Sequence, residues 1–577
     1  MVRERVLQHG DLPERSKSDS IAKELASIDD HFSSNNARQL QLHGIYQQNI
    51  RDRRSLQSNG NRETPYEFAV RLRASGNKVT TQQMLGLFDL ADEFGDGGVI
   101  LTARQGVQLN GVVKEDLKTV VRRIYELRMT TLAAGGDVSC NVMGCPAPVR
   151  DDAARQQLQK MVEHLSERLM PSADAYQNLW LRENGRPVQS RTPQNGNPLD
   201  PIYGKTCLPH KLKIGLAMPE DNCVDVYAQD IGFLAVRDGD QIAGYNMLVG
   251  GGMGMVLASP YSFPALAKPL AFVTPDEVLD AVLAVIRVYR DLGSRDSTAT
   301  SRLKYLVHTL GFERFKSIVE EYYGQPLAIP QPDDVTGVDD HLGWHQQGDG
   351  MWYLGLHVER GRFEDEEGGR LKSAVREVLP HSTDGVRFTA QKNLLLCGIP
   401  TSHRDEVEAV LARCGVSLVE SLSPVRRGAM VCPALPNCRS AITESERIAP
   451  GVLDFFEAEL ACLGLSDEPI AVRIAGCPNG CSRSYLADIA LIGRSRDIVQ
   501  ELDRFAIFLG GDSRGRRLNL LYKDQIPLPE VIDSLRRLLR IFKQTRQYGE
   551  SLGTFCARIG TDRLRHEEQA IMSRCPE

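Results

Sequence analysis

Four cysteines in two close pairs have the residue type and spacing most typical of a metal centre. The first pair, Cys432 and Cys438, lies in CPALPNC, and the second, Cys477 and Cys481, lies in GCPNGCSRSY. Pro, Gly and Asn surround both pairs, whereas a cysteine that acts only as a small hydrophobe belongs in apolar sequence. Thiolates bind zinc and iron-sulfur clusters. We therefore predict that these four residues hold one inorganic centre.

The spacing within each pair leaves two kinds of centre open. Structural zinc sites favour two to four residues between paired cysteines, which suits Cys477 and Cys481 but not the wider pair of Cys432 and Cys438. Iron-sulfur clusters accept more varied spacings, often with proline beside a ligand, and a proline follows both Cys432 and Cys477. Disulfides are disfavoured because 13 cysteines without a secretion signal indicate a reducing compartment. The pattern favours a cluster, with zinc as the alternative.

Several short motifs carry basic residues, although the chain has a formal net charge of -6. Arg71 and Arg73 alternate along FAVRLRASGNKV, which is typical of a strand, as Lys211 and Lys213 do in PHKLKI. Arg104 lies in TARQ. A single such residue most often lies on a solvated face, but together they suggest a pocket for small oxyanions or cofactor carboxylates. The net charge argues against a general nucleic-acid-binding protein.

An internal repeat indicates a duplicated architecture. Four residues of GVILTARQGVQLNGV recur in GVRFTAQKNLLLCGI at one constant offset, which relates Gly98 to Gly385, Thr102 to Thr389, Ala103 to Ala390 and Gly111 to Gly398. Each segment is predicted as a strand and follows a helix with an apolar stripe; the first helix begins at a capping box of Thr80 and Gln83. The duplication predicts pseudo-two-fold symmetry, with a site shared between the halves. The region between the copies is predicted as a different, middle domain.

Composition limits the class of protein. The chain of 577 residues, 42% hydrophobic and 25% charged, has the size of two to four soluble globular domains. No apolar signal segment opens it, and its most apolar region, residues 248–273, is interrupted by glycines, prolines and Lys268. The glycine run at 250–252 has neither P-loop nor dinucleotide spacing. We expect a cytoplasmic protein without a membrane helix or a nicotinamide or flavin site.

Taken together, these motifs resemble the sirohaem and iron-sulfur haemoprotein (beta) subunit of assimilatory sulfite reductase, within the sulfite/nitrite reductase family. The resemblance extends over nearly the whole chain and is carried by LHGIYQQNIRDRR, VRLRASGNKV, LTARQGVQLNGV, GDVSCNVMGCPAP, LPHKLK, LVGGG, CPALPNC, GCPNGC and GTFCARIG. GCPNGC with the upstream CPALPNC is highly specific. HGIYQQ favours the sulfite branch over the nitrite branch.

The resemblance implies an α/β (α+β) multidomain fold, internally duplicated with pseudo-two-fold symmetry. We expect five segments: an N-terminal arm (1–62), a first ferredoxin-like repeat (63–131), a middle sirohaem-binding domain (132–349), a second ferredoxin-like repeat that packs with the first (350–417) and a C-terminal sirohaem and [4Fe-4S] domain (418–577).

The resemblance also implies the cofactors and the reaction. Cys432, Cys438, Cys477 and Cys481 would bind a [4Fe-4S] cluster, with Cys481 also the axial ligand of the sirohaem iron. Sulfite would be reduced by six electrons to sulfide, in assimilatory sulfur metabolism. Arg73, Lys211 and Lys213 match the basic residues that bind the anion. The residues expected to contact or surround the cofactors are Arg71, Thr102, Arg104, Gln105, Gln108, Asn110, Arg302, Lys304 and Asn479.

Electrons would come from another protein, either an NADPH-dependent flavoprotein subunit or ferredoxin. The alternative enzyme is a ferredoxin-nitrite reductase, which converts nitrite to ammonia at the same kind of centre. The alternative without catalysis is a scaffold that binds a cluster or zinc. We expect no nucleic-acid or membrane partner.

Two positions depart from the family pattern. Cys140 stands where the family usually has an anion-binding arginine, and Asn110 stands where sulfite reductases commonly have histidine. A lost guanidinium removes a charge-assisted hydrogen bond of about 1.5 to 3 kcal/mol, so sulfite binding or turnover would weaken, or the preference would shift toward nitrite.

We predict that Cys140 lies in the anion pocket and that Cys140→Arg raises activity, because the substitution restores a charge-assisted hydrogen bond to sulfite. The measurement is kcat/KM for sulfite in the variant and the parent enzyme. An unchanged or lower value in the variant would contradict the prediction.

Overall fold

The computed structural model describes residues 18–48, 66–172, 176–183, 186–187, 200–204, 206–366, 368–497, 500 and 502–574. Much of the predicted N-terminal arm, including the basic part of LHGIYQQNIRDRR, lies outside these residues. Within the described part of the arm, β1 (Ile45–Gln48) pairs antiparallel with β2 (Glu67–Leu72). The arm therefore contributes a strand to the first repeat.

Amphipathic helices cover the sheets. The helix Thr81–Phe94 begins as the sequence predicts: the Gln83 amide N–H donates to Thr80 Oγ1 at 3.1 Å, and the Thr80 N–H donates to Gln83 Oε1 at 2.9 Å. The described α-helices are Ser18–Leu25, Ser34–Leu40, Thr81–Phe94, Leu117–Glu126, Ala153–Arg168, Val278–Leu292, Leu303–Leu310, Phe312–Tyr323, Leu371–Val378, Arg404–Arg413, Pro424–Arg427, Ala449–Cys462, Leu528–Thr545, Leu552–Ile559 and Thr561–Arg574.

The described strands belong to four main sheets and two short two-stranded sheets. They are β1, β2, β3 (Lys78–Val79), β4 (Val99–Leu101), β5 (Val107–Val112), β6 (Arg182–Glu183), β7 (Arg186–Pro187), β8 (Ile214–Ala217), β9 (Ile231–Asp238), β10 (Gln241–Val249), β11 (Lys268–Val273), β12 (Gly343–Gln346), β13 (Met351–Leu356), β14 (Arg362–Phe363), β15 (Asp365–Glu366), β16 (Gly369–Arg370), β17 (Val386–Phe388), β18 (Leu394–Pro400), β19 (Met430–Val431), β20 (Val472–Ala475), β21 (Ile489–Asp497), β22 (Leu502–Leu509) and β23 (Leu520–Pro527).

The two predicted repeats share one fold. Each ends in a hairpin, β4 with β5 and β17 with β18, followed by a helix of 10 residues. The prediction of a single strand in each copy is wrong. Gln105 and Lys392, at equivalent positions of the two turns, have φ angles of 53° and 72°, and this left-handed backbone turns the chain back on itself.

The repeats exchange edge strands. One sheet has the order β1-β2-β5-β4-β14 and the other β12-β13-β18-β17-β3, so each contains a short strand from the other repeat. Val79 pairs with Val386, and Phe363 pairs with Val99. Neither sheet is complete without the other repeat. This arrangement confirms the predicted α/β architecture with pseudo-two-fold symmetry.

The middle and C-terminal segments form a second duplication. The sheets β11-β10-β9-β8 and β23-β22-β21-β20 have the same order, with β8 parallel to β9 as β20 is to β21, and β19 extends the second sheet. In both, helices follow the sheet, and a glycine with positive φ joins the last two: Gly311 at 80° and Gly560 at 83°. The middle region does differ from the two ferredoxin-like repeats, but the sequence analysis did not detect that the C-terminal segment repeats it. The matching segments YAQDI (227–231) and YLADI (485–489) carry the missed signal.

In the part of the chain that the structure describes, every helix is too short or too polar to cross a lipid bilayer.

Two glycines with positive φ provide a test of the hairpin geometry. At Gly398, which has a φ of 73°, a Cβ would lie 2.5 Å from Thr383 Oγ1 and 2.7 Å from the Asp384 amide nitrogen. At Gly324, which ends a helix in left-handed backbone with a φ of 94°, a Cβ would meet nothing within 4 Å. We expect Gly398→Ala to lower the free energy of unfolding by about 1 to 3 kcal/mol more than Gly324→Ala, since only the first adds overpacking to backbone strain. Equal shifts of the thermal unfolding midpoint would contradict this.

Candidate active site

Two adjacent parallel strands bring the first cysteine of each pair together. Cys432 follows β19, Cys477 lies two residues after β20, and Val431 pairs with Ile474 between these strands. The Cys432 N–H donates to the Ile474 carbonyl at 3.2 Å, and the Gly476 N–H donates to Cys432 Sγ at 3.3 Å. Because both strands end at the same edge of the sheet, the turns that follow them place Cys438 and Cys481 near each other.

The thiols suit a cluster better than a single ion. Burial, with the neighbouring thiolate charges, raises the pKa of Cys432 to about 12 and also raises the pKa values of Cys438 and Cys477, so cations are needed to stabilise the thiolates. The ligand atoms around a single metal ion lie within about 4 Å of one another. Among the described residues, the groups whose ligand atoms all lie within 4.8 Å of one another do not include this quartet. The four residues fit a multi-iron cluster.

A buried carboxylate fixes the segment that carries Cys481. Asp225, 2% exposed, lies on the turn after β8, and its Oδ2 is 2.6 Å from Arg483 Nε and 3.3 Å from Arg473 Nη1. Arg483 also donates to the Ala390 carbonyl at 3.0 Å, in the hairpin turn of the second repeat. This ion pair therefore ties the C-terminal domain to the middle domain beside Cys481.

Basic residues lie on the side of the site that faces Cys481. Burial, followed by the positive charges of Arg104, Arg302 and Lys211, lowers the pKa of Lys213 to about 7, and the charge of Cys481 acts in the opposite direction. Positive charge therefore exceeds negative charge around Lys213. An anionic ligand would relieve this repulsion, as the predicted oxyanion and carboxylate pocket requires.

Arg104 is anchored through the turn of the first hairpin. Its guanidinium donates to the carbonyls of Asn141 and Ile214 at 3.3 and 3.4 Å and also to Gln229 Oε1. Burial lowers the pKa of Arg104 to about 10. Thr102 Oγ1 accepts from the Arg104 and Gly106 N–H groups and stabilises the turn. Gln229, in the repeated YAQDI segment, was not among the predicted site residues.

Gln105 connects the two repeats. Its Nε2 donates to the Gly144 carbonyl at 2.8 Å and to the Phe388 carbonyl at 3.0 Å, and its Oε1 accepts from the Gly144 N–H. The side chain is fully buried. The structure thus surrounds Gln105 with backbone groups, while its predicted contact with a cofactor stays a prediction.

Arg302 and Lys304 have protein partners. Arg302 makes a two-pronged ion pair with Asp230, with Nη2 to Oδ2 at 2.7 Å and Nε to Oδ1 at 3.2 Å, and Asp230 also accepts the Lys213 N–H. Lys304 Nζ donates to the carbonyls of Gly252 and Gly254, and burial lowers its pKa to about 7. Asp230 is a second residue that sequence reasoning missed; it occupies the same place in YAQDI as Asp488 in YLADI.

A chain of polar side chains lines the face of the first sheet. Arg71 lies over the Tyr46 ring at 4.2 Å and donates to Gln108 Oε1 at 2.6 Å, and Gln108 donates to Asn110 Oδ1 at 2.7 Å. Asn110 Nδ2 is buried and has no hydrogen-bond partner among the described residues. Such an orphaned donor fits a missing acceptor, as a cofactor carboxylate would supply.

The second sheet lacks this polar face. At the offset of the repeat, Gln108 corresponds to Leu395 and Asn110 to Cys397, and both belong to an apolar cluster with Ala390. Only the face of the first sheet therefore suits a large anionic cofactor.

Arg73 and Cys140 are buried neighbours beside the segment that carries Lys211 and Lys213. Arg73, 3% exposed, donates to the Ser166 carbonyl at 3.1 Å and to Ser166 Oγ at 3.0 Å, and its Nε has no partner among the described residues. Cys140 is buried, and its N–H donates to the Leu212 carbonyl between Lys211 and Lys213. Asn479 is exposed beside the cysteines, and its carbonyl lies close to Gly254.

Two family descriptions match the chain, each at two places. The nitrite and sulphite reductase 4Fe-4S domain matches residues 135–327 and 424–573, and the nitrite/sulfite reductase ferredoxin-like half domain matches residues 61–127 and 345–414. The chain belongs to the nitrite and sulfite reductase family. The double matches coincide with both duplications, and the predicted resemblance is confirmed.

Proteins named sulfite reductase are similar over nearly the whole chain. The sulfite reductase [ferredoxin] of Synechococcus elongatus is 38% identical over 571 residues, which cover 96% of this chain and 90% of that protein. The sulfite reductase [NADPH] hemoprotein beta-component of Myxococcus xanthus is 36% identical, over 96% of this chain and 94% of that protein. The structure of the Mycobacterium tuberculosis NirA protein has a TM-score of 0.72 at 23% identity, covers 98% of this chain and 95% of its own, and shows the shared fold.

Removing the Asp225 charge tests how Cys481 is positioned. We expect Asp225→Asn to destabilise the protein by about 3 to 5 kcal/mol and to lower its iron content, because two buried guanidinium groups lose their counter-ion. Asp562→Asn is the matched control, since Asp562 is 96% exposed and pairs with Arg565 at the surface, where the expected loss is below about 1 kcal/mol. Thermal unfolding and iron analysis measure both effects. Parity between the variants would contradict the assigned role.

Proposed function

We propose that this protein is the haemoprotein of a sulfite reductase and reduces sulfite to sulfide in assimilatory sulfur metabolism. The observation that carries the proposal is the meeting of Cys432 and Cys477 at the ends of β19 and β20, with the basic residues Lys213, Arg104 and Arg302 grouped near Cys481. Family membership and the names of the similar proteins support it. When bound, sirohaem and the [4Fe-4S] cluster would relay the six electrons from the donor protein and provide a metal atom that binds sulfite.

The cysteines would bind the iron centres, and the polar face of the first sheet would bind the carboxylates of the sirohaem. Cys432, Cys438, Cys477 and Cys481 would hold the cluster, and Cys481 would also bind the sirohaem iron. Arg104, Arg71 and Asn110 would bind the sirohaem carboxylates, and the Gln108 amide orients both Arg71 and Asn110. Arg302, Lys304, Thr102, Gln105 and Asn479 shape the pocket around the cofactors.

Lys211, Lys213 and Arg73 bind sulfite, and Lys213 also delivers protons. Each oxygen of sulfite leaves as water, so the site must neutralise negative charge on oxygen and supply protons. Lys213, with a pKa of about 7, can hold and release a proton at neutral pH. Cys140 offers a thiol where a guanidinium would hold the anion, so the lysines carry more of the binding.

Electrons come from a separate protein in the cytoplasm. The similar proteins are named for two donors, ferredoxin in Synechococcus elongatus and NADPH in Myxococcus xanthus. Steady-state rates with reduced ferredoxin and with an NADPH-dependent flavoprotein identify the donor.

The proposed division of the chain into domains is an arm (1–62), two interlocked repeats (63–131 and 350–417), a middle domain (132–349) and a C-terminal domain (418–577).

The purified holoenzyme tests the function. We expect sirohaem absorption bands that change when sulfite is added under reducing conditions, and a kcat/KM for sulfite above that for nitrite. A higher value for nitrite would support the nitrite reductase instead. Absence of the haem bands would leave only a cluster- or zinc-binding scaffold.

The Lys213 charge predicts a pH dependence. Its ammonium is present below a pKa of about 7 and is lost as the pH rises, so sulfite binding by the enzyme weakens above pH 7. Arginine keeps its charge, so Lys213→Arg has a smaller rise of KM between about pH 7 and pH 9. Proton binding by sulfite itself cancels in the ratio of the two enzymes. The exposed Lys160→Arg is the control, and a Lys213→Arg profile parallel to the parent profile would contradict the assignment.

A further inference from the structure

Two of the four cysteines of the quartet have cysteine counterparts in the other half of the duplicated fold. Residues 143–147 read MGCPA and residues 430–434 read MVCPA, at the offset that also relates the two hairpins. Met143 bridges Gly215 in parallel, just as Met430 pairs with Arg473 in parallel. Cys145 therefore occupies the place that Cys432 occupies in the other half.

A second cysteine follows the same relation. Asp225 and Arg483 both have left-handed backbone, with φ angles of 53° and 52°, and each precedes a short 3-10 turn before the matching strands β9 and β21. Two residues before them lie Cys223 and Cys481. Cys223 is therefore the counterpart of Cys481, and Asp221 is the counterpart of Asn479.

These counterparts meet a histidine in the folded protein. Cys145, Asp221, Cys223 and His341 each offer one ligand atom, and the four atoms all lie within 4.8 Å of one another. His341 Nε2 is 3.5 Å from Cys145 Sγ and 3.2 Å from Asp221 Oδ2. Tetrahedral zinc with ordinary bond lengths separates sulfur from nitrogen by about 3.6 Å and nitrogen from oxygen by about 3.4 Å. The observed separations are close to these values.

The surroundings also suit a cation. Asp221, Cys223 and His341 are each 1% exposed, and Cys145 is 6% exposed. His341 Nδ1 is buried without a hydrogen-bond partner among the described residues, and the buried Asp221 Oδ2 lies 3.2 Å from His341 Nε2 and 3.8 Å from Arg155 Nη1. Two thiols and one carboxylate therefore surround a single imidazole in a space closed to solvent.

We propose that Cys145, Cys223, Asp221 and His341 bind one zinc ion, separate from the iron centres. Two thiolates, an imidazole and a carboxylate form a set of four N, S and O ligands that zinc accepts in closed structural sites. His341 Nδ1 lies 3.7 Å from Asp339 Oδ2, the outer carboxylate that commonly orients a zinc-bound histidine.

A single ion fits where a cluster or a large cofactor does not. The ligand atoms are too close together for the quartet of a cluster, and Leu395 and Tyr353 fill the neighbouring space in one apolar core with both cysteines. Arg155 Nη1 lies 3.8 Å from Asp221 Oδ2. With zinc, two thiolates, one carboxylate and this guanidinium, the buried charges sum to zero, which lowers the cost of burial.

The site ties the second repeat to the middle domain. Cys145 and Cys223 belong to the middle domain, and His341 directly precedes β12, which lies in the sheet of the second repeat although its residues fall within the predicted range 132–349. Gln391 of the hairpin turn donates to the Cys223 carbonyl at 2.8 Å. The zinc therefore has a structural role, comparable in position to that of the iron centres in the other half.

Metal analysis of the purified holoenzyme tests this site. We expect about one zinc per chain after dialysis against a chelator, in addition to iron, as a closed four-ligand site retains its metal. Cys223→Ser and His341→Gln lose that zinc at least about tenfold but keep the iron content of the parent enzyme. Cys414→Ser, which alters a buried cysteine outside the cluster, retains the zinc.

X-ray absorption at the zinc edge of the unmodified holoenzyme gives a second measurement that does not depend on how the variants fold. Two sulfur and two nitrogen or oxygen neighbours support the site. The proposal is overturned by less than about 0.1 zinc per chain in protein prepared with zinc, by zinc that persists in both variants, or by a shell without sulfur. A Cys145–Cys223 disulfide, found by intact mass, would overturn it too.

Discussion

The buried ion pair between Asp225 and Arg483 is the contact on which the arrangement of the site depends. The two residues occupy the same position in the two copies of the duplicated domain, and they meet because the copies face each other. Two identical side chains there would bury like charges, whereas an acid and a base form a pair. The duplication thus became stable through a difference between its halves, and that difference holds Cys481 in place.

The same principle separates the two potential cofactor sites. Both hairpins have the same turn, but Gln108 and Asn110 line one sheet where Leu395 and Cys397 line the other. A large anionic cofactor needs hydrogen-bond donors and positive charge, and only the first side offers them. On the second side, apolar packing leaves room for a small group of ligands alone. The duplication provides two equivalent positions, and their different side chains make one suitable for a large cofactor and the other for a small group of ligands.

Several features of the fold were predictable from short-range sequence signals. The capping box at Thr80, the offset between the repeats and the paired cysteines depend on residues near one another in the chain. The hairpins were missed because TARQGV continues an apolar pattern across a turn that depends on left-handed backbone at Gln105. The second duplication was missed because YAQDI and YLADI are short and the intervening loops differ in length.

The amino-acid sequence alone determined the cysteine quartet, the first duplication and the family, since each is a matter of residue type and spacing along the chain. Only the tertiary structure decided which protein groups the basic residues contact. Asp230 satisfies Arg302, and Ser166 receives Arg73, from positions remote in sequence. The exchange of β3 and β14 between the repeats and the meeting of His341 with Cys145 also depend on long-range contacts. Spacing records local geometry, whereas burial and charge balance arise only when distant segments pack together.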